Sequence, residues 1–316
     1  MSEPVAEPPP DARWQVVLET TFFLAGPTAI GKTAVAVALA EACEGEIVGA
    51  DAFQLYDGLD HLTAQPSPEE RRRVPHHLVG SVPLSAAYHV ARYREEALPI
   101  LEAIVARGRR PIVCGGTGLY LRALTHGLAE LPAPDPALRT RLEAAPLPEL
   151  LAELDRLDPA ATVDRANPRR VLRAVEVSLL SGRPFSSFRE QWEAQPRRRG
   201  VLLERPREVL HRRIETRARA LFAPEHLPQV AAEIEAARRA GIGPTAAQVL
   251  GWRELNAFLS GDLLQEEAIA SLVQGTRRYA KRQITWFRRE PWLVPVELPD
   301  DGPPPLERLL SLLPPR

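Results

Sequence analysis

Residues 21–33 read Thr21-Phe22-Phe23-Leu24-Ala25-Gly26-Pro27-Thr28-Ala29-Ile30-Gly31-Lys32-Thr33. An aromatic and apolar run leads into G-x-x-x-x-G-K-[ST], and an alanine-rich stretch over 33–42 follows. The first run predicts a buried strand and the last a helix. That strand–loop–helix context separates a working phosphate-binding loop from a chance glycine-rich turn. Glycines let the backbone wrap an anion, and the N–H groups at a helix start point into it. Lys32 supplies a mobile charge to terminal phosphate oxygens, and Thr33 offers its hydroxyl to magnesium. Gly26, Pro27, Thr28, Ala29, Ile30, Gly31, Lys32 and Thr33 are therefore the expected phosphate cradle, with Thr33 the expected metal-facing residue and magnesium the expected cofactor.

Outward from the loop, strands and helices alternate. Residues 46–50 predict a second strand ending at Asp51, 88–107 a helix, and 111–114 a buried strand ending in Gly115-Gly116. This alternation predicts an α/β fold, a P-loop core with a parallel sheet flanked by helices, binding ligands at the carboxyl ends of its strands. Residues 135–195 read as almost wholly helical, with charged faces and proline breaks. Residues 201–203 return to the sheet, helices follow over 210–221, 227–240 and 265–287, and 292–298 is a last strand. The expected organisation is a disordered tail over 1–13, an α/β core over 14–134 and 200–298, a helical insertion domain over 135–199, and a C-terminal tail over 299–316. Within that tail, 306–313 suits a short helix.

Composition bounds the partners. The chain has 316 residues, 45% hydrophobic and 26% charged, with a formal net charge of −1. Two cysteines, Cys43 and Cys114, provide no disulfide framework and suit a reducing, cytoplasmic location. No apolar stretch approaches the roughly 18 residues that a membrane helix needs. A monomer is the default. Of 40 basic residues only Lys32 and Lys281 are lysine.

The cradle's contents are narrowed by the position of the acid. Nucleoside-triphosphate hydrolases place a magnesium-binding acid after an apolar strand. Here the third strand ends Cys114-Gly115-Gly116-Thr117-Gly118 without one, and the acid instead ends the second strand as Asp51. This disfavours motors and GTPases and leaves small-molecule transferases.

Further blocks carry a resemblance. They are Asp51-Ala52-Phe53-Gln54-Leu55-Tyr56, Thr63-Ala64-Gln65-Pro66, Pro75-His76-His77-Leu78 and Gly115-Gly116-Thr117-Gly118-Leu119-Tyr120. After them come Asn167-Pro168-Arg169-Arg170-Val171, then Gly251-Trp252-Arg253-Glu254, and a basic aromatic block over 276–288. In this order they resemble the tRNA dimethylallyltransferases (tRNA isopentenyltransferases). Four positions depart from the family pattern: Ala52 for serine, Leu62 for glycine, Gln65 for lysine and Gly80 for aspartate.

The resemblance implies transfer of a dimethylallyl group from dimethylallyl pyrophosphate to the exocyclic amine of the adenosine 3′ of the anticodon in tRNA. It implies catalytic roles for Asp51 as general base, Thr117 at the oxygen bridging donor carbon and pyrophosphate, and Arg277 at the pyrophosphate. Asp51 also fits a capping acid or an outer magnesium ligand, Thr117 a helix cap, and Arg277 a surface cation. For the tRNA anticodon stem-loop the resemblance implies contacts from Asp51, Ala52, Phe53, Gln54, Arg139, Arg169, Arg170, Arg173, Gly251, Trp252, Arg253, Lys281, Arg282, Gln283, Trp286 and Arg288.

Read from the residues alone, 276–289 carries Arg277, Arg278, Lys281, Arg282, Arg288 and Arg289 with no acid. Their helical spacing and the interleaved Tyr279, Trp286 and Phe287 suit a phosphate backbone and unstacked bases. A solvated helix face with core aromatics is the plain alternative. His76 and His77 lack partners at metal spacing and fit a structural role. A P-loop kinase and an RNA-binding protein with a relic P-loop are the rival functions.

Overall fold

Residues Phe22–Ala25 carry no charge and are buried at all four positions, so water must be excluded from both faces of the segment. In the computed structural model, which describes residues 10–188 and 198–315, this segment is an interior strand of a six-stranded sheet. In chain order the first elements are α1 (Pro10–Thr20), β1 (Phe22–Ala25), α2 (Lys32–Cys43), β2 (Gly45–Gly49), α3 (Asp60–Thr63), α4 (Pro68–Arg73), β3 (His76–His77), α5 (Val90–Ala106), β4 (Arg110–Gly115) and α6 (Gly118–Thr125). Next come α7 (Pro136–Glu143), α8 (Leu147–Leu157) and α9 (Pro168–Ser181). The last are β5 (Arg199–Glu204), α10 (Arg207–Leu221), α11 (Leu227–Ala240), α12 (Trp252–Leu259), α13 (Gln265–Phe287), β6 (Leu293–Glu297) and α14 (Leu306–Ser311).

The strand order is β3-β2-β4-β1-β5-β6, and every pairing is parallel. Strand side chains alternate between faces, and the core records it. Phe22, Leu24, Ile47, Ile112 and Val201 face one apolar layer, formed with α2 and α10–α14. Phe23, Ala25, Val48, Val113 and Leu202 face the other, formed with α1, α5 and α6. Both faces are thus covered, as a parallel sheet requires.

The chain divides into two compact units, Met1–Thr125 with Arg197–Arg316, and His126–Pro196. In the second, α7–α9 close over Leu142, Leu150, Leu154, Val171 and Val175. Asp135 and Asn167 cap α7 and α9, their side chains accepting from the N–H groups of Leu138 and Arg170.

Two features depart from expectation. Residues 10–13, assigned to the tail, are the first turn of α1, whose Val17 and Leu18 are buried; residues 1–9 lie outside the described residues. The paired histidines form the edge strand β3, two residues too short for periodicity to reveal. Within the expected helical insertion, 189–197 also lie outside the described residues.

The sheet sets the site by bringing three strand ends together. β2, β4 and β1 are neighbours, so the loops after them leave the same edge side by side. The approach is close: a Cβ on Gly115 would lie 2.0 Å from the carbonyl oxygen of Ala50. Gly115→Ala must therefore separate the β2 and β4 exits. It is expected to lower stability by about 1–3 kcal/mol, read as a lower urea midpoint with an unchanged denaturant slope.

Candidate active site

The phosphate loop connects β1 to α2, and its backbone is wound for an anion. Ala29 has φ 62° and Gly31 φ 101°, left-handed values that turn successive N–H groups toward one point. Lys32 folds back on the loop, its Nζ donating to the carbonyls of Gly26 (3.1 Å) and Pro27 (3.0 Å). Burial lowers the Lys32 pKa, Asp51 and Cys114 oppose the shift, and Arg217 adds to it. A phosphate arriving here would give the ammonium a stronger acceptor than two carbonyls. Thr33 follows at the helix start, half-buried.

Asp51 leaves the end of β2 in the grip of the β4 loop. The N–H of Thr117 donates to the Ala50 carbonyl (3.0 Å), and the N–H of Ala52 donates to Thr117 Oγ1 (2.9 Å). One threonine thus holds the residues on both sides of Asp51. The aspartate's Oδ1 accepts from the N–H of Phe53 (3.0 Å), while its Oδ2 lies beside the glycine loop, 3.4 Å from where a Cβ on Gly116 would stand. Burial pushes the Cys114 thiol up to about 12.

Gln283 locks the loops to each other. It is 5% exposed. Its Oε1 accepts from the Thr28 N–H (2.8 Å), and its Nε2 donates to the Gly116 carbonyl (2.9 Å). Both ends of the amide are engaged, so Gln283 is a brace between the two loops. Trp286 likewise lies under the glycine loop; a Cβ on Gly118 would meet its Cδ1 at 2.1 Å. Trp252 is 8% exposed and belongs to the core, and Gly251 sits beneath Leu62. Trp252 on α12 and Trp286 on α13 thus pack inward, and Gly251 caps the start of α12.

Other expected contacts do face outward. Arg278, Lys281, Arg282, Arg288 and Arg289 are exposed, with the Arg282 guanidinium 5.6 Å from the Tyr279 ring centroid. Tyr279 in turn meets Phe53 at 5.6 Å. Burial, then Asp51, raises the Tyr279 pKa, and a hydrogen bond with Thr117 opposes. Gln54 donates its amide nitrogen to the carbonyls of Thr63 (3.2 Å) and Ala64 (2.6 Å). Arg253 is exposed beside Glu254. Arg277 contacts Glu215 at 3.3 Å.

In the second unit Arg169 and Arg170 are exposed. Arg139 (3.3 Å) and Arg173 (2.6 Å) converge on Glu176, whose side chain is fully buried. Breaking such a buried pair leaves an uncompensated charge, so these two arginines hold the unit together. Similarly, His77 pairs with buried Glu46 (2.7 Å), which also takes Arg107 (2.7 Å). Among the described residues no cluster of three or more His, Cys, Asp or Glu could hold a metal.

Three arginines were not recognised as part of the cradle from sequence. Arg205 donates to the Ile30 carbonyl (3.1 Å), Arg213 to the Ala29 carbonyl (2.8 Å), and Arg217 to Thr28 Oγ1 (3.4 Å) and the Leu62 carbonyl (3.1 Å). The signal was the four-residue spacing of Arg213 and Arg217, one helical turn on a common face.

The chain is similar to known proteins along most of its length. A family model described as IPP transferase matches residues 54–290. A tRNA dimethylallyltransferase of Akkermansia muciniphila is 41% identical, over 93% of this chain and 99% of the relative. One of Geobacter metallireducens is 43% identical, over 87% and 91%. The crystal structure of a tRNA isopentenylpyrophosphate transferase from Bacillus halodurans superposes with a TM-score of 0.66 at 33% identity, covering 93% of this chain and 94% of that one. A family match over most of the chain, together with relatives more than 40% identical along nearly their whole length, shows that the chain belongs to the IPP transferase family.

Proposed function

We propose that this chain is a tRNA dimethylallyltransferase. It moves a dimethylallyl group from dimethylallyl pyrophosphate to the exocyclic amine of the adenosine 3′ of the anticodon, giving isopentenyladenosine. The observation that carries the reading is the brace: one buried glutamine joins the anion-binding loop to the loop whose threonine grips Asp51. A leaving diphosphate and a proton acceptor are thereby held beside one another.

Pyrophosphate departs from an allylic carbon, so neutralising its charge lowers the main barrier. The N–H groups of the loop, Lys32 and Arg217 supply that neutralisation, with Arg277 on the neighbouring helix. As the adenine nitrogen bonds to the allylic carbon and the carbon–oxygen bond breaks, the amine loses a proton. Asp51 is the acceptor. Thr117 is held by Ala52 and Tyr279 at the bridging oxygen. Magnesium, when bound, screens the diphosphate charge. Thr33 would face the ion, and so sparse a donor set fits a cation that would be held mainly by the diphosphate and water. The tRNA partner is met by the exposed cations of α13 and, in the second unit, by Arg169 and Arg170. No helix among the described residues is long and apolar enough to cross a membrane; a cytoplasmic monomer is the working form.

The direct test incubates tRNA lacking the modification with labelled dimethylallyl pyrophosphate or with ATP. Prenyl label entering the RNA supports the reading; phosphate transfer, or binding without turnover, overturns it. Asp51→Asn is expected to lower turnover by about 10²–10⁴-fold with tRNA affinity unchanged. Chelating divalent ions should abolish turnover, and added magnesium should restore it. Replacing Arg278 and Arg282 by alanine should weaken tRNA binding and flatten the plot of log affinity against log salt by roughly 0.7–0.9 per lost phosphate contact.

A further inference from the structure

Two arginines touch the cradle from its outer side. Arg213 Nε donates to the carbonyl of Ala29 (2.8 Å), and Arg205 Nε to the carbonyl of Ile30 (3.1 Å). In a trans peptide the carbonyl and the N–H point to opposite sides. A guanidinium fixed on the Ala29 oxygen therefore leaves the N–H of Ile30 directed away from it, and one on the Ile30 oxygen does the same for the N–H of Gly31. These are two consecutive peptide units in the segment where Ala29 (φ 62°) and Gly31 (φ 101°) take left-handed values. Such values are unfavourable for alanine, so an external hold is needed to keep them.

We propose that Arg205 and Arg213 are positioning residues of the diphosphate cradle: from behind, they fix and polarise the two peptide units whose N–H groups face the ligand. The inference rests on the reading of this loop as a diphosphate site. Charge-assisted hydrogen bonds are stronger than neutral ones, and a hydrogen bond to a carbonyl polarises the N–H of the same unit. The pair therefore strengthens the nest without touching the ligand. Arg217, by contrast, reaches the loop's Thr28 hydroxyl.

The surroundings favour this use. Arg205 also donates from Nη1 to the carbonyls of Pro299 and Asp300, tying the segment after β6 to the loop. Asp300 and Asp301 line the same groove of ≈ 610 Å³ as Ala29, Arg212 and Arg213. These acids offset the local positive charge, so two arginines can stand side by side behind the loop.

Inorganic pyrophosphate with magnesium, titrated without tRNA, is the probe. Arg213→Ala should weaken its binding by about 10–100-fold, the range of one charge-assisted hydrogen bond. Arg213→Lys should recover most of the affinity, whereas Arg213→Gln should not. Arg205→Ala should act in the same direction, giving an independent variant should Arg213→Ala fold poorly. In turnover both alanine variants should raise KM for the prenyl donor more than they lower kcat, with tRNA affinity unchanged. Unaltered pyrophosphate affinity in the alanine variants overturns the proposal. So does a parallel fall in tRNA affinity and thermal midpoint, which would make the arginines merely structural. If the unmodified protein fails to bind pyrophosphate, the reading of the loop itself falls, a result distinct from either.

Discussion

A single buried amide joins the two halves of the candidate site. Gln283 accepts from the phosphate loop and donates to the glycine loop, 255 and 167 residues away in sequence. An amide with its donor and acceptor both satisfied in a dry environment is costly to disturb, because each freed group would lose its partner without gaining water. The two loops therefore keep one spacing. That spacing matters because the chemistry proposed here needs an anion and a proton acceptor at fixed separation.

The brace also explains why α13 is long. Its first half is anchored by Ile269, Leu272 and Val273 in the core, and its last residue, Phe287, is buried against the other layer. Between these anchors Gln283 reaches inward while Arg278, Lys281 and Arg282 point out. One rigid helix thus carries the loop brace on one face and the cationic surface on another. An RNA bound along the outer face would be referenced to the donor loops through a single element rather than through a flexible connection.

The departures from the family pattern show how packing absorbs change. Gln65 and Gly80 stand where lysine and aspartate are usual, and they are neighbours: a Cβ on Gly80 would lie 2.9 Å from Gln65 Oε1. The Gln65 amide donates to the Tyr56 carbonyl and accepts from Arg71. Leu62 replaces glycine and packs onto Gly251, whose missing side chain and left-handed backbone leave it room. Leu62, Gln65 and Gly80 thus each meet a residue that they touch.

How much of this was legible depends on range. The strand before the phosphate loop, the loop itself, the acid ending β2 and the glycine turn ending β4 were all readable, because each rests on local patterning and on the conformational needs of a few adjacent residues. The parallel, doubly covered sheet followed from the alternation of such segments. Which outward-looking residues would be turned inward was not readable. Gln283, Trp286, Trp252, Arg139 and Arg173 have surface-like or interface-like chemistry, and only long-range packing gave them their contacts with the protein's own loops and core. Arg205, in the loop before α10, carries no local sign of the carbonyl it holds, and the turn spacing of Arg213 and Arg217 marks a shared helix face but not what that face meets. Sequence by itself determined the chemistry available at each strand end. The tertiary structure decided the partners, because hydrogen bonds between residues hundreds of positions apart are set by how the helices close on the sheet.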